Sequence, residues 1–118
     1  MLVILSAAAA APGRRDELVA AARTVATATR ADRGCLTYSF SVDVEDPDRV
    51  LGVEVWSDRA ALDEHMGHHH TQEFLAEVAE LITGEPVMAF HDVRDEDDAP
   101  AMPGAPDRAA PRRPDTGM

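Results

Sequence analysis

Four of the five histidines in this chain fall within residues 65–70, shortly after the only tryptophan, Trp56. From residue 56 to residue 74 the sequence reads WSDRAALDEHMGHHHTQEF. Imidazole titrates near neutral pH, so a histidine can remove a proton from an acidic phenol, donate a hydrogen bond to an oxyanion, or bind a metal ion. We therefore predict that residues 56–74 contain the functional site of the protein.

The histidines in the middle of this segment, His68 and His69, allow two interpretations: ligands of a metal ion or solvated loop residues. His65 and His69 stand four residues apart, so an unbroken helix would place both on one face with a glutamate nearby. Gly67 weakens that helix, and a run of adjacent histidines is common in solvated loops. We therefore predict that His68 and His69 are solvated loop residues and that the protein has no functional metal.

The charge balance narrows the classes of partner. The chain has 118 residues and a net charge of −11, and its 11 basic residues are all arginine. Such an acidic chain repels the phosphates of nucleic acids and the anionic surface of membranes, so we expect neither as a partner.

The single cysteine, Cys35, excludes an internal disulfide and is typical of a reducing compartment. No apolar run is long enough to cross a bilayer, and we expect a soluble, cytoplasmic protein.

Two kinds of catalytic motif are missing from the sequence. No glycine-rich phosphate-binding loop occurs, so we do not expect a nucleotide cofactor. No nucleophile elbow indicates a Ser-His-Asp hydrolase. The residues therefore favour neither a nucleotide-dependent enzyme nor a hydrolase of this type.

Apolar periodicity and turn residues predict the elements that must position the histidines. Gly34 is expected to end the first helix, Ser57 or Asp58 to cap the second, and Gly84 with Pro86 to end the third. The first helix has a narrow apolar stripe of small side chains, which lets it lie close to a sheet. The predicted strands span residues 2–6, 35–44, 49–56 and 87–93, and the predicted helices span residues 14–32, 58–66 and 71–82.

The composition divides the chain into one domain and a tail. After residue 93 it changes to acidic residues and then to proline, alanine, glycine and arginine without an apolar period. Such a segment buries too little apolar surface to offset the entropy lost on ordering. We therefore predict a single domain over residues 1–93 and a disordered tail over residues 94–118.

The order of elements, β-α-β-β-α-β, is typical of an α+β, ferredoxin-like domain with an antiparallel sheet. Helices cover only one face of such a sheet. The opposite face also carries apolar side chains, which a second copy of the chain would cover most simply. The sequence therefore predicts a homodimer.

The chain resembles the antibiotic biosynthesis monooxygenase family of dimeric α+β barrels, which includes small quinol monooxygenases. The likeness covers residues 2–93. Four stretches carry it: a first strand leading into APGRRDEL at residues 11–18; GCLTY at residues 34–38; EVWSD at residues 54–58 followed by Ala61 and Leu62; and His65 followed by His70 and Phe74.

The resemblance implies a pocket inside each subunit, between the sheet and the helices. Many members oxidise quinols or anthrones with molecular oxygen and without flavin, metal or haem. In such a reaction the protein removes a proton, the substrate anion gives an electron to oxygen, and the radical pair recombines. The resemblance therefore implies an aromatic substrate and O2 as partners and no cofactor.

The same resemblance points to two candidate catalytic residues. His70 matches the histidine at the start of the last helix and is expected to act as a base, unless it is a solvent-facing residue. His65 also fits the pattern, as a base or as a hydrogen-bond donor to a substrate oxyanion, unless it caps the last carbonyls of a short helix. Which of the two is the base stays open.

Four further residues are candidates for substrate binding: Trp56, Tyr38, Glu54 and Phe74. Trp56 is expected to stack on a planar substrate if it is not plain core. Glu54 shares the strand face of Trp56 and would need a partner there, which a histidine or Arg59 would provide. The Tyr38 phenol is expected either to hold a substrate oxygen or to reach the surface.

The resulting hypothesis is a cofactor-independent monooxygenase that oxidises a quinol- or anthrone-like aromatic with O2. The chain has no asparagine, whereas haem-degrading relatives of this fold use one, which counts against haem degradation. The alternatives are a non-catalytic dimeric barrel that binds a small apolar ligand or a metal, and a cyclase or isomerase that uses the same base.

Overall fold

The computed structural model describes residues 1–94, and every structural statement below refers to those residues. The prediction of a disordered tail over residues 94–118 concerns a segment that, after its first residue, lies outside the described residues. Four strands and three helices make up the described part, and they are β1 (Leu2–Ala10), α1 (Arg15–Thr29), β2 (Cys35–Val42), β3 (Arg49–Trp56), α2 (Arg59–Met66), α3 (His69–Leu81) and β4 (Ile82–Asp92).

The four strands form one antiparallel sheet in the order β2-β3-β1-β4. β1 lies in the centre, where it pairs with β3 on one side and with β4 on the other. This arrangement confirms the predicted α+β, ferredoxin-like fold. No helix of residues 1–94 is both long enough and apolar enough to span a membrane.

The core lies between the helices and one face of the sheet. Leu2 and Ile4 of β1 are buried there with Tyr38 of β2 and Trp56 of β3, and the indole of Trp56 is fully buried. α1 packs on these residues through a stripe of small side chains, as the sequence predicted. The buried residues of α1 are Leu18, Ala21, Ala22, Val25, Ala26 and Thr29.

Two predicted element boundaries differ from the structure in ways that affect the site. α1 ends at Thr29, so residues 30–32, which the sequence predicted to be helical, belong to the loop before β2. β4 begins at Ile82, directly after α3, although Gly84 and Pro86 were expected to stop a helix and precede the strand. Gly84 has a φ of 71° and the pairing with β1 shifts at this point, so the strand contains an irregularity. Pro86 is tolerated because β4 is an edge strand.

The start of β2 also differs from a regular strand. Its pairing with β3 shifts between Cys35 and Thr37, as in a β-bulge. As a result Cys35 packs against the core, while Leu36, which was predicted to share a face with Tyr38, is 57% exposed. A one-residue shift of register moves a side chain to the opposite face of a sheet, and the alternation of the sequence alone does not reveal it.

Gly34 brings the α1–β2 loop against α2. Its φ is 76°, a left-handed conformation, and its carbonyl accepts a hydrogen bond of 2.8 Å from the N–H of Ser57. A Cβ atom at this position would overlap the Cβ of Ala61 and lie 2.6 Å from the Ser57 hydroxyl. The close approach therefore requires glycine for both conformation and space.

We expect Gly34→Ala to lower the free energy of unfolding by about 2–4 kcal/mol, because the methyl group adds steric overlap to the cost of positive φ. Gly13→Ala is the matched control, since Gly13 also has a φ of 76° but nothing within 4 Å of its added Cβ. The control should lose about 1 kcal/mol. Urea denaturation measures both values, and equal losses would contradict the proposed contact.

Candidate active site

The antiparallel pairing of β2 with β3 places two distant segments side by side. Cys35, at the start of β2, is opposite Trp56, at the end of β3. The loop that precedes β2 therefore lies beside the segment that leads from β3 into α2 and α3. Asp32 lies in that loop, and this location brings its carboxylate within reach of the histidines that follow Trp56.

A short turn between α2 and α3 directs three histidines toward this carboxylate. Asp58 caps α2, where its Oδ1 accepts a hydrogen bond of 2.8 Å from the N–H of Ala61, as the sequence predicted. Gly67 ends α2, and α3 begins two residues later. The N–H of His68 donates to the carbonyl of His65 over 3.1 Å, which closes the turn.

The Asp32 carboxylate is the centre of the cluster. Its Oδ2 lies 2.9 Å from Nδ1 of His65 and 3.0 Å from Nε2 of His70, both with hydrogen-bond geometry. Its Oδ1 lies 3.1 Å from Nδ1 of His68, a close ion-pair distance without hydrogen-bond alignment. One acidic side chain, only 7% exposed, thus faces three imidazole rings.

These contacts decide the protonation state of Asp32. Burial alone would raise the pKa of its carboxyl group, because desolvation disfavours the charged form. Hydrogen bonds from His65 and His70, together with the nearby His68, favour the anion and outweigh the burial, so the pKa lies below its ordinary value of 3.8. Asp32 is therefore ionised at neutral pH and acts as an acceptor for the surrounding rings.

His65 is the most enclosed of the three histidines, with only 2% of its side chain exposed. The ring packs against the indole of Trp56, with centroids 4.6 Å apart, and against Tyr38, with centroids 5.5 Å apart. The hydroxyl of Thr71 lies 3.2 Å from Nδ1, the same nitrogen that faces Asp32. The orientation of the imidazole is thus fixed by packing and by polar contacts together.

Glu54 finds a different partner from the one that the sequence suggested. The prediction was a histidine or Arg59, but the carboxylate accepts a hydrogen bond of 3.0 Å from the indole N–H of Trp56. Burial raises the pKa of Glu54 above its usual value, and the Trp56 hydrogen bond and the nearby His65 only partly oppose that effect. The carboxylate that orients the histidines is instead Asp32.

A cavity of about 150 Å³ lies between the sheet and helices α1–α3. Tyr38, Glu54, His65 and Phe74 line it, which brings four of the six candidate residues to one space. The rest of the wall is mostly apolar and reaches β4. Its further lining residues are Ser6, Ala7, Ala8, Leu18, Ala22, Phe40, Val50, Met66, Thr71, Leu75, Val78, Pro86 and Met88.

The other two candidates lie outside the cavity wall. Trp56 is fully buried and its indole packs against the ring of His65, so the indole has no surface on the cavity. His70 is 29% exposed and is connected to the cavity through Asp32 and His65. A larger hollow of about 220 Å³ between α1 and β2 contains none of the histidines.

His68 and His69, although adjacent in sequence, lie in different surroundings. His68 joins the cluster around Asp32, which the prediction of a solvated loop residue missed. His69 is 92% exposed, and its Nε2 lies 3.3 Å from Oε2 of Glu73. The pairing of His65 with His69 that a continuous helix would give is therefore wrong, because Gly67 breaks the helix. The residues that could hold a metal ion are Asp32, His65, His68 and His70.

The family comparisons agree with this architecture. The sequence profile of the family described as antibiotic biosynthesis monooxygenase matches residues 1–81. The chain is 38% identical over 72 residues to the protein named "Putative monooxygenase Rv0793" from Mycobacterium tuberculosis, over 61% of this chain and 70% of that protein. It is also 34% identical over 71 residues to the uncharacterized protein sll1783 from Synechocystis sp., over 60% of this chain. That match spans 48%, about half, of the Synechocystis protein.

Solved structures show the same fold. A crystal structure described as an antibiotic biosynthesis monooxygenase superposes with a TM-score of 0.75 at 26% identity, over 80% of this chain and all of that one. The structure of Rv0793 from Mycobacterium tuberculosis superposes with a TM-score of 0.75 at 28% identity, over 80% of this chain and 96% of that one.

We expect Asp32→Asn to lower the free energy of unfolding by about 2 kcal/mol at neutral pH, because hydrogen bonds to an ionised acceptor are replaced by weaker ones. The native pKa of Asp32 is depressed, so its contribution is complete above the pKa of the unfolded chain and is lost as pH falls through the native pKa. Urea denaturation in EDTA, from about pH 7 to about pH 2, checks this dependence.

The matched control for this pH series is Asp63→Asn. Asp63 is 69% exposed and pairs with Arg59 over 3.6 Å at the surface of α2, so its loss should cost less than about 0.5 kcal/mol. A stability difference between the native protein and Asp32→Asn that stays constant across the pH range would contradict the assigned role of the carboxylate.

Proposed function

The chain belongs to the antibiotic biosynthesis monooxygenase family, and on that premise we propose that it oxidises an electron-rich hydroxylated aromatic ring with O2, without a cofactor. The observation that carries the proposal is the position of His65. Its imidazole is buried in the wall of an apolar cavity and is oriented by an ionised carboxylate from another loop. A proton acceptor held in a dry space is what such a reaction requires of the protein.

The size of the cavity supports a small substrate. Its volume of about 150 Å³ equals that of an apolar cavity known to accept a single benzene ring. A three-ring anthrone would need roughly twice that space or more, as drug-sized ligands do. A one-ring quinol is therefore the substrate class that we propose, in preference to an anthrone.

His65 is the proposed base. Nδ1 faces Asp32 and Thr71, so the hydrogen-bond network assigns the proton of the neutral ring to Nδ1. Nε2 then carries the lone pair and can accept a phenolic proton. The Asp32 carboxylate stabilises the imidazolium that forms, as an oriented carboxylate does in other histidine bases. His70, hydrogen-bonded to the same carboxylate, is proposed to hold Asp32 in place and not to contact the substrate.

The substrate supplies all the electrons in the proposed reaction. After deprotonation the phenolate transfers one electron to O2, and the aryloxyl radical and superoxide combine at a ring carbon to form a peroxide anion. The imidazolium returns its proton to the peroxide. Loss of water then breaks the O–O bond and leaves a hydroxylated quinone, so one oxygen atom enters the product and the other leaves as water.

The phenol of Tyr38 is proposed to bind a substrate oxygen. Burial raises the pKa of Tyr38, and the charge of the nearby Glu54 raises it further, so the phenol stays protonated. A phenol can donate a hydrogen bond to a developing oxyanion. Glu54, which also lines the cavity, is proposed to accept a hydrogen bond from a substrate hydroxyl. Phe74, which packs on Phe40 with centroids 5.7 Å apart, provides apolar contact with the ring.

The same domain is proposed to form a homodimer through the face of the sheet opposite the helices. Leu5, Val53 and Val87 share that face and are 46%, 39% and 67% exposed. Val53 and Leu5 are direct neighbours in the central strands, so the exposed apolar surface is continuous. Covering it with the same face of a second copy gives a closed, two-fold assembly.

We expect hydroquinone to cause oxygen uptake with the wild-type protein, faster than anthrone does, as measured with an oxygen electrode. His65→Gln should lower kcat by at least about 100-fold, because a positioned base contributes that much or more. The exposed His69→Ala is the control and should leave kcat unchanged. Uptake by His65→Gln within twofold of wild type would refute the assigned base, and turnover without oxygen uptake would indicate a cyclase or isomerase.

We expect sedimentation equilibrium at micromolar concentration to give a dimer, and Val53→Lys to give a monomer, because a charge would be buried in the interface. The control is Val44→Lys, in the β2–β3 turn, where Val44 is 99% exposed and should not affect assembly. A wild-type protein that is monomeric at this concentration would contradict the proposed dimer.

A further inference from the structure

We propose that Asp32, His65, His68 and His70 form a binding site for one divalent transition-metal ion of the zinc class. Each of the four residues offers one donor atom, and all four donor atoms lie within 4.8 Å of one another. The residues come from the α1–β2 loop, α2 and the start of α3, so the fold and not a local sequence motif assembles the set. The proposal does not rest on the oxygenase reaction. A bound ion would take the place of the proton on Nδ1 of His65, so the metal-bound state is separate from the metal-free state in which His65 acts as a base.

The spacing of the donor atoms fits a tetrahedral ion. For metal–ligand distances of about 2.0–2.1 Å, the ligand atoms of a tetrahedral zinc site stand about 3.3 Å apart. The three imidazole nitrogens lie 2.9, 3.1 and 3.0 Å from the Asp32 oxygens. All four donor atoms lie within 4.8 Å of one another, so side-chain rotations that move donor atoms by up to about 1.5 Å would complete the site.

The donor chemistry selects the kind of ion. Three imidazole nitrogens with one carboxylate suit Zn²⁺ and its neighbours Co²⁺ and Ni²⁺, whereas Mg²⁺ and Ca²⁺ require mostly oxygen ligands. The ion would add two positive charges beside the carboxylate of Asp32, which is one of its four ligands. The net charge of −11 on the chain further favours a cation over an anion at this place.

An orphaned nitrogen provides a second, independent observation. Nδ1 of His68 is buried and has no hydrogen-bond partner among the described residues, although it lies 3.1 Å from Oδ1 of Asp32. Buried nitrogens normally have a partner, and one without a partner needs an explanation. An ion placed among the four donors would bind this nitrogen, together with the ring nitrogens of His65 and His70.

The surroundings of the four residues support a preorganised site. His65 is held by Trp56 and by the hydroxyl of Thr71, and such outer contacts fix the orientation of metal ligands. The neighbouring His69, by contrast, points to solvent and pairs with Glu73. His69 therefore provides a matched control for His68, because it is also a histidine and is the next residue in the sequence but lies outside the cluster.

The test uses the full-length protein after dialysis against EDTA. We expect a titration with Zn²⁺, in competition with a chromophoric chelator, to show one equivalent of tight binding. His68→Ala should weaken that binding at least tenfold, because even outer contacts of a metal ligand are worth 10- to 100-fold. Co²⁺ in place of Zn²⁺ should give the visible absorption of a tetrahedral complex with wild type and not with His68→Ala.

His69→Ala should bind Zn²⁺ with unchanged affinity, and far-UV circular dichroism should show that both variants are folded. Binding that is weakened by His69→Ala and not by His68→Ala would overturn the proposal in favour of surface chelation by His69 and Glu73. The absence of a one-equivalent complex would overturn it as well. These readouts are independent of turnover, so a failure of the oxygen-uptake experiment does not affect them.

Discussion

The contact of one ionised carboxylate with three imidazole rings is the interaction on which the site depends. An anion that is largely buried costs free energy, and here hydrogen bonds from His65 and His70 more than offset that cost. The carboxylate in turn fixes the ring that lines the cavity. Removing Asp32 would thus take away one of the contacts that orient His65 and the carboxylate that His70 faces, although neither residue is its neighbour in sequence.

The sheet makes this contact by register and close approach. Because β2 begins opposite the end of β3, the loop before β2 and the helices after β3 share one edge of the molecule. Gly34 allows the loop to lie against α2, where any larger residue would overlap Ala61. The functional geometry therefore follows from backbone features that contain no reactive group.

Much of this could be read from the sequence, and each exception has a physical cause. Periodicity and turn residues predicted the order of elements, the bounds of β3 and a cap at Ser57 or Asp58, because those signals are local. Asp32 was missed, because a contact across 33 residues depends on register and on where α1 stops. The indole partner of Glu54 was missed although both residues share one strand face, because the direction of a side-chain hydrogen bond depends on rotamers that the alternation does not specify. The pairing of Cys35 with Trp56 in the predicted hairpin was the signal that could have indicated Asp32.

The direct passage of α3 into β4 has a structural consequence. No residue separates Leu81 from Ile82, so the helix and the strand follow each other without a loop. α3 provides Phe74 and neighbouring lining residues, and β4 provides Pro86 and Met88. A large part of the chamber wall therefore belongs to one continuous stretch of chain, which begins at the histidine run.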